Sequence, residues 1–138
     1  MKNLFLDTNI IIDVIDYRMP FYTKSAKIFD YGAKGFVNLF MSSLSFATIY
    51  YVAKKTISHQ ECIKVMKDLS SLITTVDVTG EVINLSINSS FNDFEDALQY
   101  YSALAQGNIT AIVTRNSQDF KQSDIPIMNP EQALAMIL

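Results

Sequence analysis

The chain has 138 residues, about half of them apolar and under a fifth charged, which suits one packed domain over residues 1–138 and excludes a disordered chain. No apolar run approaches the roughly 20 residues that cross a bilayer, the N-terminus has no signal-peptide architecture, and Cys62 has no second cysteine to pair with, so a soluble cytoplasmic protein is expected. A net charge of −3 argues against a uniformly basic nucleic-acid binder.

Leu4-Phe5-Leu6 reads as a buried strand that stops at Asp7-Thr8-Asn9, where a helix through Ile10–Ile15 begins. A second helix fits Phe21–Tyr31, with Tyr22, Ala26 and Phe29 inward and Gly32 and Gly35 ending it. Leu39-Phe40-Met41 is a second strand, and Ser42-Ser43 can cap a helix running to about Lys55. Ser58 and Glu61 have capping-box spacing, and Cys62, Val65, Met66, Leu69, Leu72 and Ile73 form one apolar helical face behind them. Thr75–Val78 is a third strand, followed by a helix near Glu81–Ser89. Asn92 and Glu95 repeat the capping-box spacing, opening a helix whose expected inner residues are Phe94, Ala97, Leu98, Tyr101, Leu104 and Ala105, with Gly107 ending it. Ala111–Val113 and Ile125–Met128 supply two more strands, and Asn129-Pro130 opens a last helix. Five strands alternating with helices predict an α/β fold with a parallel sheet covered on both faces, and a site at the carboxyl ends of its strands.

The acids fall where such a site belongs. Asp7 directly follows the first strand, Asp119 lies just beyond the fourth, and Asp93 and Asp96 stand three apart at a helix start. Singly, each has an ordinary explanation as a helix cap, a turn former or a complement to the helix dipole. Together they would repel one another unless a cation sits among them, and hard oxygen ligands favour Mg²⁺ or Mn²⁺. Thr8, Asn9, Thr114 and Asn116 add neutral polar groups around the same point. The charge is also divided along the chain: from Lys2 to Lys67 nine basic residues face five acids, giving +4, and from Asp68 to Leu138 two face nine, giving −7. An acidic metal site beside a basic phosphate-guiding surface fits that division, as do ordinary solvated helix faces.

Three stretches, Leu-Asp-Thr-Asn-Ile-Ile-Ile-Asp at 6–13, Asp-Phe-Glu-Asp-Ala-Leu-Gln at 93–99 and Val-Thr-Arg-Asn-Ser-Gln-Asp-Phe at 113–120, resemble in order the signature blocks of the PIN domains. The resemblance covers the whole chain. It implies a Rossmann-like three-layer α/β/α sandwich and metal-dependent cleavage of single-stranded RNA. It also implies a small toxin that pairs with an antitoxin protein and forms a homodimer. Carried across by position, the catalytic, metal-binding acids are Asp7, Asp96 and Asp119, with Thr114 and Asn116 in support.

One position departs from the family. In Ser42-Ser43-Leu44-Ser45-Phe46-Ala47-Thr48, Thr48 stands where the resemblance places a glutamate. A hydroxyl there removes one negative charge, and Asp93 is the acid available to compensate. The expected chemistry is activation of water and polarisation of the phosphodiester by one or two metal ions. Arg18, Lys24, Lys27, Lys54 and Arg115 are candidate phosphate contacts, and Tyr17, Tyr50 and Tyr51 are either base-stacking, core or dimer residues. His59 reads as a surface residue. The alternative is a weakened or inactive PIN-like module that binds RNA or protein. A haloacid-dehalogenase-type site would need an acid two residues after Asp7, and Asn9 stands there.

Overall fold

The computed structural model describes residues 1–138. In chain order the elements are β1 (Asn3–Leu6), α1 (Thr8–Ile15), α2 (Tyr22–Ala33), β2 (Asn38–Ser42), α3 (Ser43–Ala53), α4 (His59–Leu72) and β3 (Thr74–Val76). Then follow α5 (Gly80–Ile87), α6 (Phe94–Gln106), β4 (Ala111–Val113), a 3₁₀ turn (Ser117–Phe120), β5 (Ile127–Met128) and α7 (Pro130–Ile137). The five strands form one all-parallel sheet in the order β3-β2-β1-β4-β5. Helices cover both faces, giving the three-layer α/β/α sandwich expected of the sequence.

Strand alternation divides the core. Leu4 and Leu6 of β1 and Ala111 and Val113 of β4 face one apolar cluster, shared with Ile10 and Ile11 of α1, Ile28 of α2, Ile49 of α3 and Leu69 of α4. Phe5 and Ile112 face the other, with Tyr100 and Ala103 of α6 and Phe120. All of these side chains are buried. Successive connections run outward from β1 on one side to β2 and β3, then return to β4 and β5 on the other. The crevice that opens between β1 and β4 at the carboxyl edge is where a parallel sheet binds ligands. Leu6 pairs with Val113, so Asp7 and Thr114, the next residues, stand side by side on its floor.

Several expectations shift. The third and fifth strands are shorter than Thr75–Val78 and Ile125–Met128, at Thr74–Val76 and Ile127–Met128. The helix α6 is capped by Asp93, whose Oδ1 accepts the Asp96 N–H, and not by Asn92. Its buried face is rotated too: Phe94, Leu104 and Ala105 are exposed, whereas Gln99, Tyr100, Ser102 and Ala103 are buried. Two polar residues on the inner face broke the apolar periodicity from which that face was read. In α2 the buried line is Ser25 and Ile28, with Tyr22, Ala26 and Phe29 at its margins.

Gly32 does not end α2, which runs on to Ala33. Its role is close approach: a Cβ there would lie 2.5 Å from Leu39 Cδ1, on the buried strand β2. Gly32→Val is therefore expected to lower stability by about 2 kcal/mol through overpacking. Urea denaturation tests this, and an unchanged midpoint would show that α2 does not lie against β2 as described.

Candidate metal centre

Asp7 ends β1 and caps α1 at once. It is only 4% exposed. Its Oδ1 accepts the Thr8 N–H at 2.8 Å, and its Oδ2 accepts the Thr114 hydroxyl at 2.7 Å. The Asp7 N–H in turn donates to Val113 O, so strand pairing, helix cap and side-chain bond fix one carboxylate. Thr114 Oγ1 also accepts the Asn116 N–H at 3.1 Å, tying the loop after β4 to the same point.

Around this carboxylate lies a cleft of about 260 Å³ lined by Asp7, Asn9, Asp93, Glu95, Asp96, Asn116 and Asp119, with no apolar side chain in its wall. It adjoins a polar hollow that shares Asp93, Asp96 and Asp119 and has Lys121 in its wall. Asp96 and Asp93 come from the first turn and cap of α6, and Asp119 from the 3₁₀ turn beyond β4. The sheet edge thus gathers Asp7, Asp93, Asp96 and Asp119 in one cleft.

Electrostatics reflect the gathering. Burial pushes the Asp7 pKa up to about 6, against the lowering pull of Thr114 and the Thr8 N–H, and the charges of Glu95 and Asp119 raise it further. Asp96 is raised to about 7, chiefly by burial and then by Asp7, Asp93, Asp119 and Glu95. The donor set suits a hard divalent cation: every wall group is an oxygen-bearing carboxylate or amide. Asn9 Oδ1 is buried without a hydrogen-bond partner, an acceptor facing no donor. No three acidic side chains are gathered tightly enough to ligate one ion as they stand. Asp93, Glu95 and Asp119 are exposed at the rim, with Asp93 held by its cap bond to the Asp96 N–H.

Other expected site residues lie elsewhere. The Thr8 hydroxyl points into the fold, bonded to Ser45 Oγ at 2.7 Å and to Gln99 Nε2 at 3.1 Å. Thr48 is half-buried on α3, one turn past Ser45, and does not line the cleft. The Arg115 guanidinium is held by buried Asp13, through Nε at 2.6 Å and Nη2 at 3.2 Å, and lies over the Phe21 ring. Arg18 pairs with Asp16 and Lys24 with Glu131, both on the surface. Lys27 is exposed, and Lys54 lies over the Tyr50 ring. Glu95, Asp13, Ser45 and Gln99 were not singled out from the sequence. Glu95 had been given to a capping box with Asn92, and only its position beside Asp96 hinted at the cleft.

A sequence model described as PIN domain matches residues 3–118. The chain is 24% identical over 136 residues to Ribonuclease VapC1 of Aquifex aeolicus (strain VF5), spanning 95% of this chain and 92% of that protein. Its fold superposes on VapBC2 from Rickettsia felis, solved bound to a DNA fragment from its promoter, with a TM-score of 0.63, 17% identity, and coverage of 92% of this chain and 98% of that one. It also superposes on Mycobacterium tuberculosis VapC20, titled a sarcin-ricin loop cleaving toxin, with a TM-score of 0.62, 12% identity, and coverage of 79% and 86%.

The raised acids make stability depend on pH. Both titrate in the folded state above the 3.8 of an ordinary aspartate, so the folded protein binds more protons than the unfolded chain between about pH 4 and 7. The metal-free melting temperature should therefore fall as pH rises from about 5 to about 8, the penalty being complete above the folded pKa values. Asp7 contributes on the order of 3 kcal/mol for its shift from 3.8 to about 6. Asp7→Asn should flatten the profile and be the more stable protein at pH 8. Identical profiles for the two proteins would show that Asp7 is not buried among acids.

Proposed function

The chain belongs to the PIN domain family, and from that premise we propose that it is a divalent-metal-dependent endoribonuclease acting on single-stranded RNA. The observation that carries this reading is the carboxylate cleft at the β1–β4 crevice, where burial first and neighbouring acids second push Asp7 and Asp96 towards neutral pH.

Asp7, Asp96 and Asp119 are the residues to hold the cation, with Asp93 within the same wall and Glu95 supplying the charge that Thr48 lacks. Mg²⁺ or Mn²⁺ bound there would polarise the scissile phosphodiester and supply an activated water. The chain's own groups do the rest. Thr114 and the Thr8 N–H hold the Asp7 carboxylate in one orientation. Asn9 and Asn116 offer amide groups to the phosphate or to water at the cleft wall. Without a cation, the five carboxylates repel a phosphodiester strand, so RNA and metal should bind together.

The biological setting follows the same relatives. A ribonuclease VapC1 and the VapBC2 complex support the reading that this protein is the toxin of a toxin–antitoxin pair, acting in the cytoplasm and restrained by an antitoxin protein. No helix is long and apolar enough to cross a membrane. Exposed Leu85 and Ile87 on α5 and Leu104 on α6 provide apolar surface for a protein partner, consistent with a homodimer or an antitoxin contact. A module that binds without cutting remains the competing reading, favoured only by Thr48 in place of the glutamate.

Mn²⁺ should raise the melting temperature of the wild type in a concentration-dependent way, by about 2.7 kcal/mol of stability at a hundredfold excess over Kd. Asp7→Asn and Asp96→Asn should lose both that shift and the cleavage of single-stranded RNA, and Glu95→Gln should weaken both several-fold. Cleavage by wild type without added metal and in the presence of a chelator would refute the metal-dependent mechanism. Binding of RNA without any turnover would favour the non-cutting module.

A further inference from the structure

The stretch that links α1 to α2 and runs into the first turns of α2 combines positive charge with exposed aromatic rings. From Tyr17 to Phe29 it carries Arg18, Lys24 and Lys27 and no acid, with Tyr17, Phe21 and Tyr22 among them. Large apolar side chains usually turn inward, yet Tyr17, Met19 and Phe21 are exposed. Tyr17 sits at φ +50, the left-handed region that side chains rarely adopt, and its ring lies 5.0 Å from that of Tyr22. That conformation closes α1, with the Arg18 N–H on Asp13 O at 3.0 Å and the Tyr17 N–H on Val14 O at 3.5 Å, and it leaves the Tyr17 ring facing solvent.

Phe21 lines a groove of about 400 Å³ together with Pro20, Lys24, Arg115, Pro130 and Glu131. The Arg115 guanidinium carbon lies 4.1 Å from the centre of its ring. Because Asp13, fully buried, takes two of the guanidinium nitrogens, Arg115 cannot swing out to meet a phosphate. What it does is hold Phe21 in place. The residue after Arg115 is Asn116, which lines the carboxylate cleft, so groove and cleft lie on either side of one peptide unit.

We infer that this groove is a subsite for one nucleotide of single-stranded RNA, its base stacking on Phe21 and its phosphate meeting Lys24, with Arg115 as a positioning residue. The inference rests on the ribonuclease reading and adds which residues grip the strand. Charge favours nucleic acid over a peptide. The cleft repels phosphate, so the grip must come from beside it, and the adjoining segment offers cations interleaved with aromatic rings, the combination that binds single strands. The one partner of Lys24 is Glu131 at 3.0 Å, and both side chains are more than half exposed. Such a pair contributes little, so a phosphate can displace the carboxylate.

The chain contains no tryptophan, so Phe21→Trp in the full protein puts a sole indole in the groove. A short single-stranded oligoribonucleotide is titrated into it with Ca²⁺ replacing Mn²⁺ to slow cleavage, and the strand is checked for integrity afterwards. Stacking should quench the emission along the same curve as the anisotropy of the labelled strand. With Mn²⁺, Phe21→Ala should raise KM for cleavage about tenfold with kcat little changed, and Phe21→Trp, which keeps a stacking face, should recover most of that loss. Wild-type cleavage together with an unquenched indole and an unchanged Phe21→Ala KM would overturn the subsite and leave the ribonuclease reading standing. Emission that shifts with protein concentration and not with RNA would also overturn it, marking the groove as an interface between copies. A wild type that neither binds nor cuts RNA would remove both readings.

Discussion

Keeping the Asp7 carboxylate buried beside four other acids costs free energy at neutral pH, and much of the surrounding structure serves to hold it there. Its backbone is locked by strand pairing to Val113, and its side chain by the Thr114 hydroxyl and the first N–H of α1. These are hydrogen bonds to a charged acceptor, which contribute more than neutral ones. They lower the Asp7 pKa without offsetting the burial that raises it, because the net shift is still upward. The protein carries a site it would be more stable without, the pattern expected where function sets the local charge.

Two polar constructions underlie the site from opposite sides. Towards the core, Thr8, Ser42, Ser45 and Gln99 share hydrogen bonds that join α1, α3 and α6, the helices around the cleft. Gln99 Oε1 is left without a partner, so the network is not optimised for stability alone. Towards the β5 side, the Asp13–Arg115 pair fastens α1 to the loop that carries Asn116 and leads to Asp119. Removing Arg115 would strand the fully buried charge of Asp13, which is far costlier than losing a surface pair. Both constructions constrain the spacing between Asp7 and the acids that face it, so residues outside the cleft decide whether its carboxylates can share one ion.

Legibility from sequence followed the physics of each feature. The strands β1, β2 and β4 are short apolar runs bounded by polar residues, and they were readable because a parallel strand buried on both faces has little room for anything else. The face of α4 was readable because Cys62 and Leu69 are buried with Val65, Met66 and Leu72 beside them, a clean apolar stripe. The face of α6 was misread because Gln99 and Ser102 are buried polar residues, which apolar periodicity assigns to solvent. Asp7 and Asp96 could be placed by their position after a strand and at a helix start. Glu95 could not, because its exposure on the cleft rim depends on where Asp93 begins the helix, and a one-residue shift of the cap moves every side chain by about 100°.

The cations show the same limit more sharply. Sequence counts Arg18, Lys24, Lys54 and Arg115 alike as free positive charges; the structure separates them by what already holds them. Arg115 is bound to a fully buried Asp13, and the low-dielectric surroundings make that pair expensive to open. Arg18 and Lys24 are paired with Asp16 and Glu131 in water, where the pairing contributes roughly 0–1 kcal/mol and salt weakens it. Lys54 and Lys55 have no acidic partner within salt-bridge distance and lie over Tyr50 and Tyr51. A phosphate therefore meets the exposed lysines and Arg18 at small cost, and Arg115 only by breaking the fold near the cleft. The positive charge next to Asn116 of the cleft wall is thus the one least able to bind a phosphate, and its contribution must pass through the ring and the loop it holds.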